Sequence, residues 1–106
     1  MKLLTKEIEK KLPALGSQDG KPAEDVTIVV KFFCPWNNWK WYATEGEFDK
    51  DRDTWMFYGL VKGLETEYGY FTLSELESIQ GPYRMKIERD MSFSATLAEV
   101  QKGKRF

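Results

Sequence analysis

The sequence predicts an α+β fold: a single antiparallel sheet of four to five strands in meander order, with short helices at the N-terminus, after strand four and near the C-terminus. Three observations predict it. Runs of β-branched and aromatic residues succeed one another between residues 26 and 71. The linkers between these runs are too short for the helical crossovers that parallel strands require. Helix-capping signals stand before the first strand, after the fourth strand and near the C-terminus, and not between the first four strands.

Length and composition predict one globular domain that spans residues 1–106. Hydrophobic residues make up 42% of the chain and charged residues 31%, a balance that excludes a disordered or membrane-spanning chain. Residues 1–12 carry a net charge of +2 and residues 101–106 a net charge of +3, which leaves −6 on the remainder. We therefore expect an acidic body with a frayed basic tail at residues 101–106.

A short helix is predicted at the N-terminus, with Thr5 as its cap and Pro13 as its stop. Residues 16–25 contain Gly and Pro but no recurring apolar residue, so we expect a loop there. The helix carries one apolar stripe, formed by Leu4, Ile8 and Leu12.

The first strand is predicted over residues 26–33, a β-branched and aromatic run. Apolar residues on both of its faces indicate a central strand that is covered on both sides. Simple alternation places Val29 and Phe33 on one face, opposite to Ile28, Val30 and Phe32.

Three more strands are predicted over residues 39–45, 54–61 and 67–71, and a fifth over residues 85–91. Residues 46–53 are rich in charged side chains, and we expect them to form a hairpin loop between the second and third strands.

The most specific local signal is the sequence Thr72-Leu73-Ser74-Glu75, which matches a capping box. It predicts a helix that ends before Gly81-Pro82. Thr96 and Glu99 repeat the spacing of the box, so a short final helix is expected after them. The apolar face of the first of these helices is formed by Leu73, Leu76 and Ile79.

Aromatic residues are concentrated between positions 36 and 58 of the chain. Because aromatic cross-strand pairs stabilise sheets, we expect most of them in the core. Trp36 lies in a turn, where an indole is hard to bury, so we expect it to be exposed as an anchor for a partner. The aromatic residues considered are Trp36, Trp39, Trp41, Tyr42, Trp55, Phe57 and Tyr58.

The residue counts exclude several kinds of active site. The chain has no histidine and one cysteine, Cys34, so it lacks His-based nucleophile pairs and Cys clusters for zinc. The acidic run at residues 49–53 is similar to the start of a calcium loop, but Thr54 and Leu60 stand where that loop needs Gly and Glu. We expect no metal site, no cofactor and a buried structural thiol.

Several motifs occur in a fixed order between residue 30 and about residue 100, some two thirds of the chain. In this order they resemble a family of small uncharacterised bacterial proteins, a domain of unknown function commonly carried on plasmids, integrative elements and phages. The resemblance implies a fold and a mobile-element setting, but no catalytic residues. The motifs are residues 30–33 with Pro35, 41–45, 57–60, 67–76, and 87–90 with Phe93.

We therefore expect a non-enzymatic protein-interaction domain that serves a bacterial mobile element, as an accessory or as an antagonist of a host defence protein. The acidic body favours the second role, because acidic proteins can occupy basic nucleic-acid clefts. The expected partner is another protein, and neither a membrane nor nucleic acid is favoured. The residues expected to bind are Trp36, Asn37, Trp41, Glu45, Glu67, Tyr70, Arg89 and Asp90.

Two alternative functions stay open at this point. A small carboxylate-based enzyme needs Glu45, Glu67 and Asp90 to converge on a pocket beside Trp41. A weak binder of single-stranded nucleic acid needs strand aromatics beside basic side chains on one face. The acidic balance of the body disfavours the nucleic-acid binder. The basic residues that could serve it are Lys31, Lys40, Lys62 and Arg89.

A cytoplasmic location is expected. Leu4 is followed almost at once by a charged run, so the sequence lacks the apolar stretch of a secretory signal. A lone thiol without a disulfide partner fits a reducing compartment.

Overall fold

The structure, a computed structural model, describes residues 1–103. Of the predicted tail at residues 101–106, Gln101 ends the last helix, and residues 104–106 lie outside the described residues. No described helix is long and apolar enough to cross a membrane. The elements are α1 (Lys6–Lys11), β1 (Thr27–Ile28), β2 (Val30–Phe33), β3 (Lys40–Asp49), β4 (Thr54–Lys62), β5 (Thr66–Thr72), α2 (Leu73–Ser78), β6 (Glu88–Arg89), β7 (Ala95–Thr96) and α3 (Leu97–Gln101).

The α+β class and the antiparallel meander are confirmed, but the strands form two sheets instead of one. Strands β2 to β5 follow one another in a five-stranded sheet of order β5-β4-β3-β2-β6, and β1 pairs with β7 in a second, two-stranded sheet. The predicted fifth strand at residues 85–91 shrinks to Glu88–Arg89 and lies beside β2, not beside β5. The chain leaves β5 through α2 and returns on the opposite edge, which leaves β5 as an edge strand.

The predicted first strand is broken at Val29. The amide nitrogen of Val29 donates to the carbonyl of Ala43 at 2.9 Å, and Val30 is also the register partner of Ala43. Val29 and Val30 therefore both lie opposite Ala43, and the alternation of side chains between the two faces of the sheet is interrupted there. As a result Ile28 packs with Tyr42 on one side of the sheet, whereas Val30 lies on the other, so the prediction that they share a face is wrong.

The predicted loop at residues 46–53 is also wrong in extent. Strand β3 continues to Asp49 and β4 begins at Thr54, so only residues 50–53 turn the chain. Polar side chains do not end the pairing, because a strand with one solvent-facing side accepts them. The register shifts by one residue at Thr44, which is a β-bulge.

Apolar residues cover the sheet on both faces, as the run at residues 26–33 predicted. The larger cluster lies under α1 and α2, whose predicted apolar stripes both pack against it, Leu4 and Leu76 being buried within it. The smaller cluster lies under α3 and consists of Ile28, Tyr42, Leu60, Ala95 and Val100, with Phe93 and Leu97 packed against it.

Both predicted capping boxes are confirmed. The hydroxyl of Thr72 accepts a hydrogen bond from the backbone nitrogen of Glu75 at 3.1 Å, and the Glu75 carboxylate accepts one from the nitrogen of Thr72 at 3.2 Å. Thr96 and Glu99 make the same pair of bonds at the start of α3.

Replacing Thr72 with alanine is expected to lower the free energy of unfolding by about 1 kcal/mol, because the amide of Glu75 loses its acceptor. Urea denaturation measures the change. Thr66→Ala, at the exposed start of the same strand, is the matched control and should change little. Equal losses in the two variants would contradict the capping role.

Candidate functional site

The residues predicted to bind a partner do not form one patch. Trp36, Asn37 and Trp41 meet in one groove, and Glu67 lines a second groove beside it. The other four predicted residues, Glu45, Tyr70, Arg89 and Asp90, line neither groove.

A short turn between β2 and β3 builds the first groove. The backbone nitrogen of Cys34 donates to the carbonyl of Trp39 at 3.0 Å, which closes the turn. The side-chain oxygen of Asn37 accepts from the nitrogen of Trp39 at 2.9 Å, a local bond typical of Asn in turns. The turn therefore holds Trp36 and Trp39 in defined positions near the end of the sheet.

Each of these two indoles lies directly against a glycine. A Cβ at Gly81 would lie 2.7 Å from Cε3 of Trp36, and a Cβ at Gly63 would lie 2.6 Å from Cζ2 of Trp39. Only the absence of a side chain at these two glycines allows so close an approach. Trp36 is consequently half-buried, and the exposure predicted for it is only partial.

The first groove, which we call the tryptophan groove, has a volume of about 310 Å³ and is predominantly apolar. Trp41 belongs to the buried core, so the groove is continuous with the interior of the protein. The groove is lined by Cys34, Trp36, Asn37, Trp39, Trp41, Ile79 and Gln80.

The second groove, which we call the glutamate groove, adjoins the tryptophan groove and has a volume of about 350 Å³. It is lined by Trp39, Val61, Leu64, Glu65 and Glu67, so Trp39 is common to both grooves. Leu64 is 94% exposed, and both glutamates are exposed. The sequence prediction missed Leu64, for which the available signal was an apolar residue in a short hairpin loop.

The Cys34 thiol at the tryptophan groove is buried, as predicted for a structural cysteine. Burial raises its pKa, and a hydrogen bond from the Asn37 side chain opposes part of that rise. A raised pKa leaves the thiol protonated at neutral pH, which makes it a poor nucleophile.

Glu45 anchors a loop. Its side chain is 2% exposed, and its two carboxylate oxygens accept from the backbone nitrogens of Gly16 at 2.7 Å and Gln18 at 2.9 Å. The β-bulge at Thr44 turns Glu45 to the face of Tyr58 and away from the face of Trp41. The β-bulge, which no local sequence pattern predicts, thus places Glu45 on the opposite side of the sheet from the one that simple alternation gives.

Arg89 and Asp90 hold chain segments together. The guanidinium of Arg89 donates to the carbonyls of Lys2 at 2.9 Å and Leu3 at 3.4 Å, which fastens the N-terminal segment to β6. The Asp90 carboxylate lies 3.4 Å from the ammonium of Lys31. Both side chains are thus engaged within the fold.

The three acids considered for an enzyme do not share a pocket. Glu67 lies on β5 and Asp90 follows β6, which are the two opposite edges of the five-stranded sheet. Four inter-strand spacings separate those edges, roughly 19 Å. Glu45 lies on the other face from Trp41, so the geometry required for paired-carboxylate chemistry is not assembled.

Three of the basic candidates gather around Tyr42 on the face opposite to the tryptophan groove. The ammonium groups of Lys31 and Lys62 lie 5.8 Å and 5.7 Å from the centre of the Tyr42 ring. Lys40 lies directly across from Lys62. Burial lowers the pKa of Lys62, and the charges of Lys40 and Lys31 lower it further.

The hydroxyl of Tyr42 is buried and has no hydrogen-bond partner among residues 1–103. Burial raises its pKa to about 12, with a smaller contribution from the negative charge of Asp90. The neutral hydroxyl is therefore retained in the folded state well above the ordinary pKa of 10.

Tyr42→Phe is expected to raise the free energy of unfolding by about 1 kcal/mol at neutral pH, because an unsatisfied buried hydroxyl is removed. Above pH 10 the unfolded chain loses the Tyr42 proton first, so wild-type stability should fall as the pH rises towards 12. The difference between the two proteins should grow over that interval in denaturant titrations. A less stable variant at neutral pH would contradict this account.

The acidic turn at residues 49–53 is stabilised from within. The Asp49 carboxylate accepts from the backbone nitrogens of Asp51 and Arg52 and lies 2.8 Å from the Arg52 guanidinium. The pKa of Asp49 is lowered by these bonds, and the largest contribution comes from the Arg52 side chain.

Calcium titration by calorimetry is expected to give no binding tighter than millimolar. A micromolar isotherm that is abolished by Asp51→Ala would contradict the expectation that residues 49–53 form no metal site.

Comparison with known proteins finds one family. No curated protein and no solved structure matches the chain at significant similarity. The model of one family covers residues 3–100, which include both grooves and the seven strands described in residues 1–103. The chain belongs to that family, which is described as "Protein of unknown function (DUF2958)".

Proposed function

We propose that this protein is a non-enzymatic interaction domain that binds a segment of another protein in the tryptophan and glutamate grooves. The observation that carries the proposal is the position of Trp39, whose indole belongs to both grooves. Tryptophan side chains in partly buried pockets supply much of the binding energy of protein interfaces. One continuous segment of a partner can therefore contact both grooves around this residue.

The grooves are formed before any partner arrives. Trp36 lies against Gly81, Trp39 lies against Gly63, and the side chain of Asn37 holds the intervening turn. Binding then requires little ordering of side chains, and the entropy lost on association is correspondingly small.

The chemistry of the lining indicates the kind of segment that fits. The tryptophan groove suits a large apolar side chain, because three indoles and Ile79 form most of its lining. Glu65 and Glu67 suit a neighbouring Lys or Arg, and the net charge of −6 on residues 13–100 steers basic partners towards the domain. We expect a partner segment that carries an apolar anchor next to basic residues.

We further propose that the domain serves a bacterial mobile element. The resemblance of its motifs to proteins carried on plasmids, integrative elements and phages supports this setting. An acidic protein that binds basic segments fits either an accessory of a DNA-processing complex or an antagonist of a host defence protein, since both kinds of partner have basic nucleic-acid-binding surfaces.

Selection from a displayed library of random peptides tests the site without knowledge of the partner. We expect enrichment of peptides that combine a large apolar residue with Lys or Arg. Their affinity should fall about tenfold or more in Trp39→Ala and in the double variant Glu65→Lys/Glu67→Lys. Phe48→Ala removes an exposed aromatic at the far end of β3 and is the matched control.

Two results would contradict the proposal. One is the absence of enriched peptides from a library that yields binders for a known interaction domain. The other is enrichment of peptides whose affinity is the same for the Trp39 variant and the wild-type protein, because such peptides occupy another surface. Circular dichroism and thermal unfolding confirm that each variant is folded.

A further inference from the structure

The strand β5 is an unprotected edge of the five-stranded sheet. It pairs with β4 on one side, and no other strand of the described residues pairs with its outer side. Edge strands are normally protected by Pro, by charged side chains, Lys above all, or by short length. Residues 66–72 contain no Pro and a single charged residue, Glu67, whereas the opposite edge, β6, has only the two charged residues Glu88 and Arg89.

The sequence of β5 is nearly symmetric about its central residue. Read in either direction from Gly69, the strand presents tyrosine first and threonine last, with only Glu67 and Phe71 unlike each other. An antiparallel strand that pairs with a copy of itself about a two-fold axis brings residues at equal distance from the centre opposite each other. The strand is Thr66-Glu67-Tyr68-Gly69-Tyr70-Phe71-Thr72.

We propose that the partner of this edge is a second copy of the chain, paired antiparallel through β5 with the two-fold axis at Gly69. Thr66 then lies opposite Thr72 of the other copy, and Tyr68 opposite its Tyr70. Threonine pairs and aromatic pairs are among the favourable cross-strand contacts. The two five-stranded sheets become one sheet of ten strands, and the unprotected edge of each copy is paired.

The tyrosines on this strand provide the contact surface. The Tyr58 ring lies 4.9 Å from the ring of Tyr70 and 6.5 Å from that of Tyr68. Tyr68 remains 46% exposed and Tyr70 65% exposed, so the cluster has unburied aromatic surface at the edge. A two-fold axis perpendicular to the sheet keeps the tyrosines of both copies on the same face, where they cover one another.

Gly69 has no structural requirement within a single chain. Its backbone is not left-handed, and a Cβ there would meet no atom within 4 Å. Glycine weakens a strand interior and often marks a place where another backbone approaches closely. The two-fold axis supplies such an approach, so the inferred dimer accounts for a residue that the isolated chain leaves unexplained.

The dimer does not use the tryptophan groove, but it pairs the strand that carries Glu67 of the glutamate groove. Sedimentation without a peptide tests the dimer alone, and Trp39→Ala tests peptide binding away from β5, so failure of one proposal is distinguishable from failure of the other. Pairing of one seven-residue strand buries less surface than a standard stable interface, so we expect a reversible dimer that dissociates on dilution.

Sedimentation equilibrium of the full chain tests the proposal. The weight-average mass is expected to rise from the 12.4 kDa of one chain towards twice that value between low-micromolar and submillimolar concentration. A monomer at every concentration would overturn the proposal.

Paired variants test the register. In Tyr68→Lys/Tyr70→Lys, introduced lysines of the two copies face each other, and the dissociation constant should rise about tenfold or more. In Tyr68→Lys/Tyr70→Glu, each lysine faces a glutamate of the other copy, and dimerisation should recover. Tyr83→Lys alters an exposed tyrosine elsewhere and should leave the dimer unchanged. A dimer that survives the double-lysine change, or no recovery with the lysine–glutamate pair, would overturn the register.

Discussion

Gly59→Ala is expected to lower the free energy of unfolding by about 3 kcal/mol or more, and to be among the most damaging single changes in the chain. A Cβ at this position would lie 2.8 Å from the carbonyl carbon of Tyr42 and 3.0 Å from Cα of Ala43, and closer still to the carbonyl oxygen of Tyr42. All three atoms belong to the backbone of β3, so no side-chain rotation relieves the overlap. The adjacent strands β3 and β4 must separate at the β-bulge, and the hydrogen bonds that join them there are lost.

The matched control is Gly69→Ala, because Gly69 is the register partner of Gly59 on the next strand. No atom lies within 4 Å of the Cβ that this change adds, so the folded monomer is expected to be unchanged or more stable by up to about 1 kcal/mol. Urea denaturation at low protein concentration separates this effect from dimerisation. Similar losses in the two variants would contradict the close approach at Gly59.

Leu76→Ala is expected to cost about 2–4 kcal/mol, a large share of the stability of a domain of this size. Leu76 is 1% exposed and is the one residue of α2 that is fully buried in the larger core cluster. Truncation leaves a cavity between α2 and the sheet, which the short helix can fill only by shifting. Chemical denaturation gives the value directly.

Leu64→Ala removes the same atoms from an almost fully exposed position and is the control for Leu76→Ala. We expect its effect on stability to stay within about 0.5 kcal/mol. A loss below 0.5 kcal/mol at Leu76 as well would mean that α2 does not pack as the structure has it. In the peptide-binding assay, by contrast, Leu64→Ala should reduce affinity, because Leu64 lines the glutamate groove.

The candidate site could be predicted only in part. The turn after residue 33, where the sequence places an indole, forms part of a groove that Trp36, Asn37 and Trp41 line together. The second groove depends on Leu64 and Glu65, which come near Trp39 because β4 and β5 return the chain to the same end of the sheet. No spacing within a single strand predicts that meeting.

Glu45 and Asp90 show how a structural contact can be hidden from the sequence. Each is an acid near an aromatic strand, a pattern that fits catalysis or binding as well as it fits a structural role. In the structure, Glu45 holds the backbone of a loop 27–29 residues earlier in the chain, and Asp90 pairs with Lys31, which lies 59 residues earlier in the chain. Such partners are set by tertiary folding, so residue type and position alone could not assign the role.

By itself the sequence determined the antiparallel meander, both capping boxes and the apolar stripes of α1 and α2. These features depend on residues a few positions apart, whose backbone preferences and periodicity act before any distant contact forms. Only the tertiary structure decided the break at Val29, the β-bulge at Thr44, the separate β1–β7 pair and the position of β6. Each of these depends on backbone pairing between residues far apart in the chain, which no local pattern specifies, and the open β5 edge follows from the position of β6.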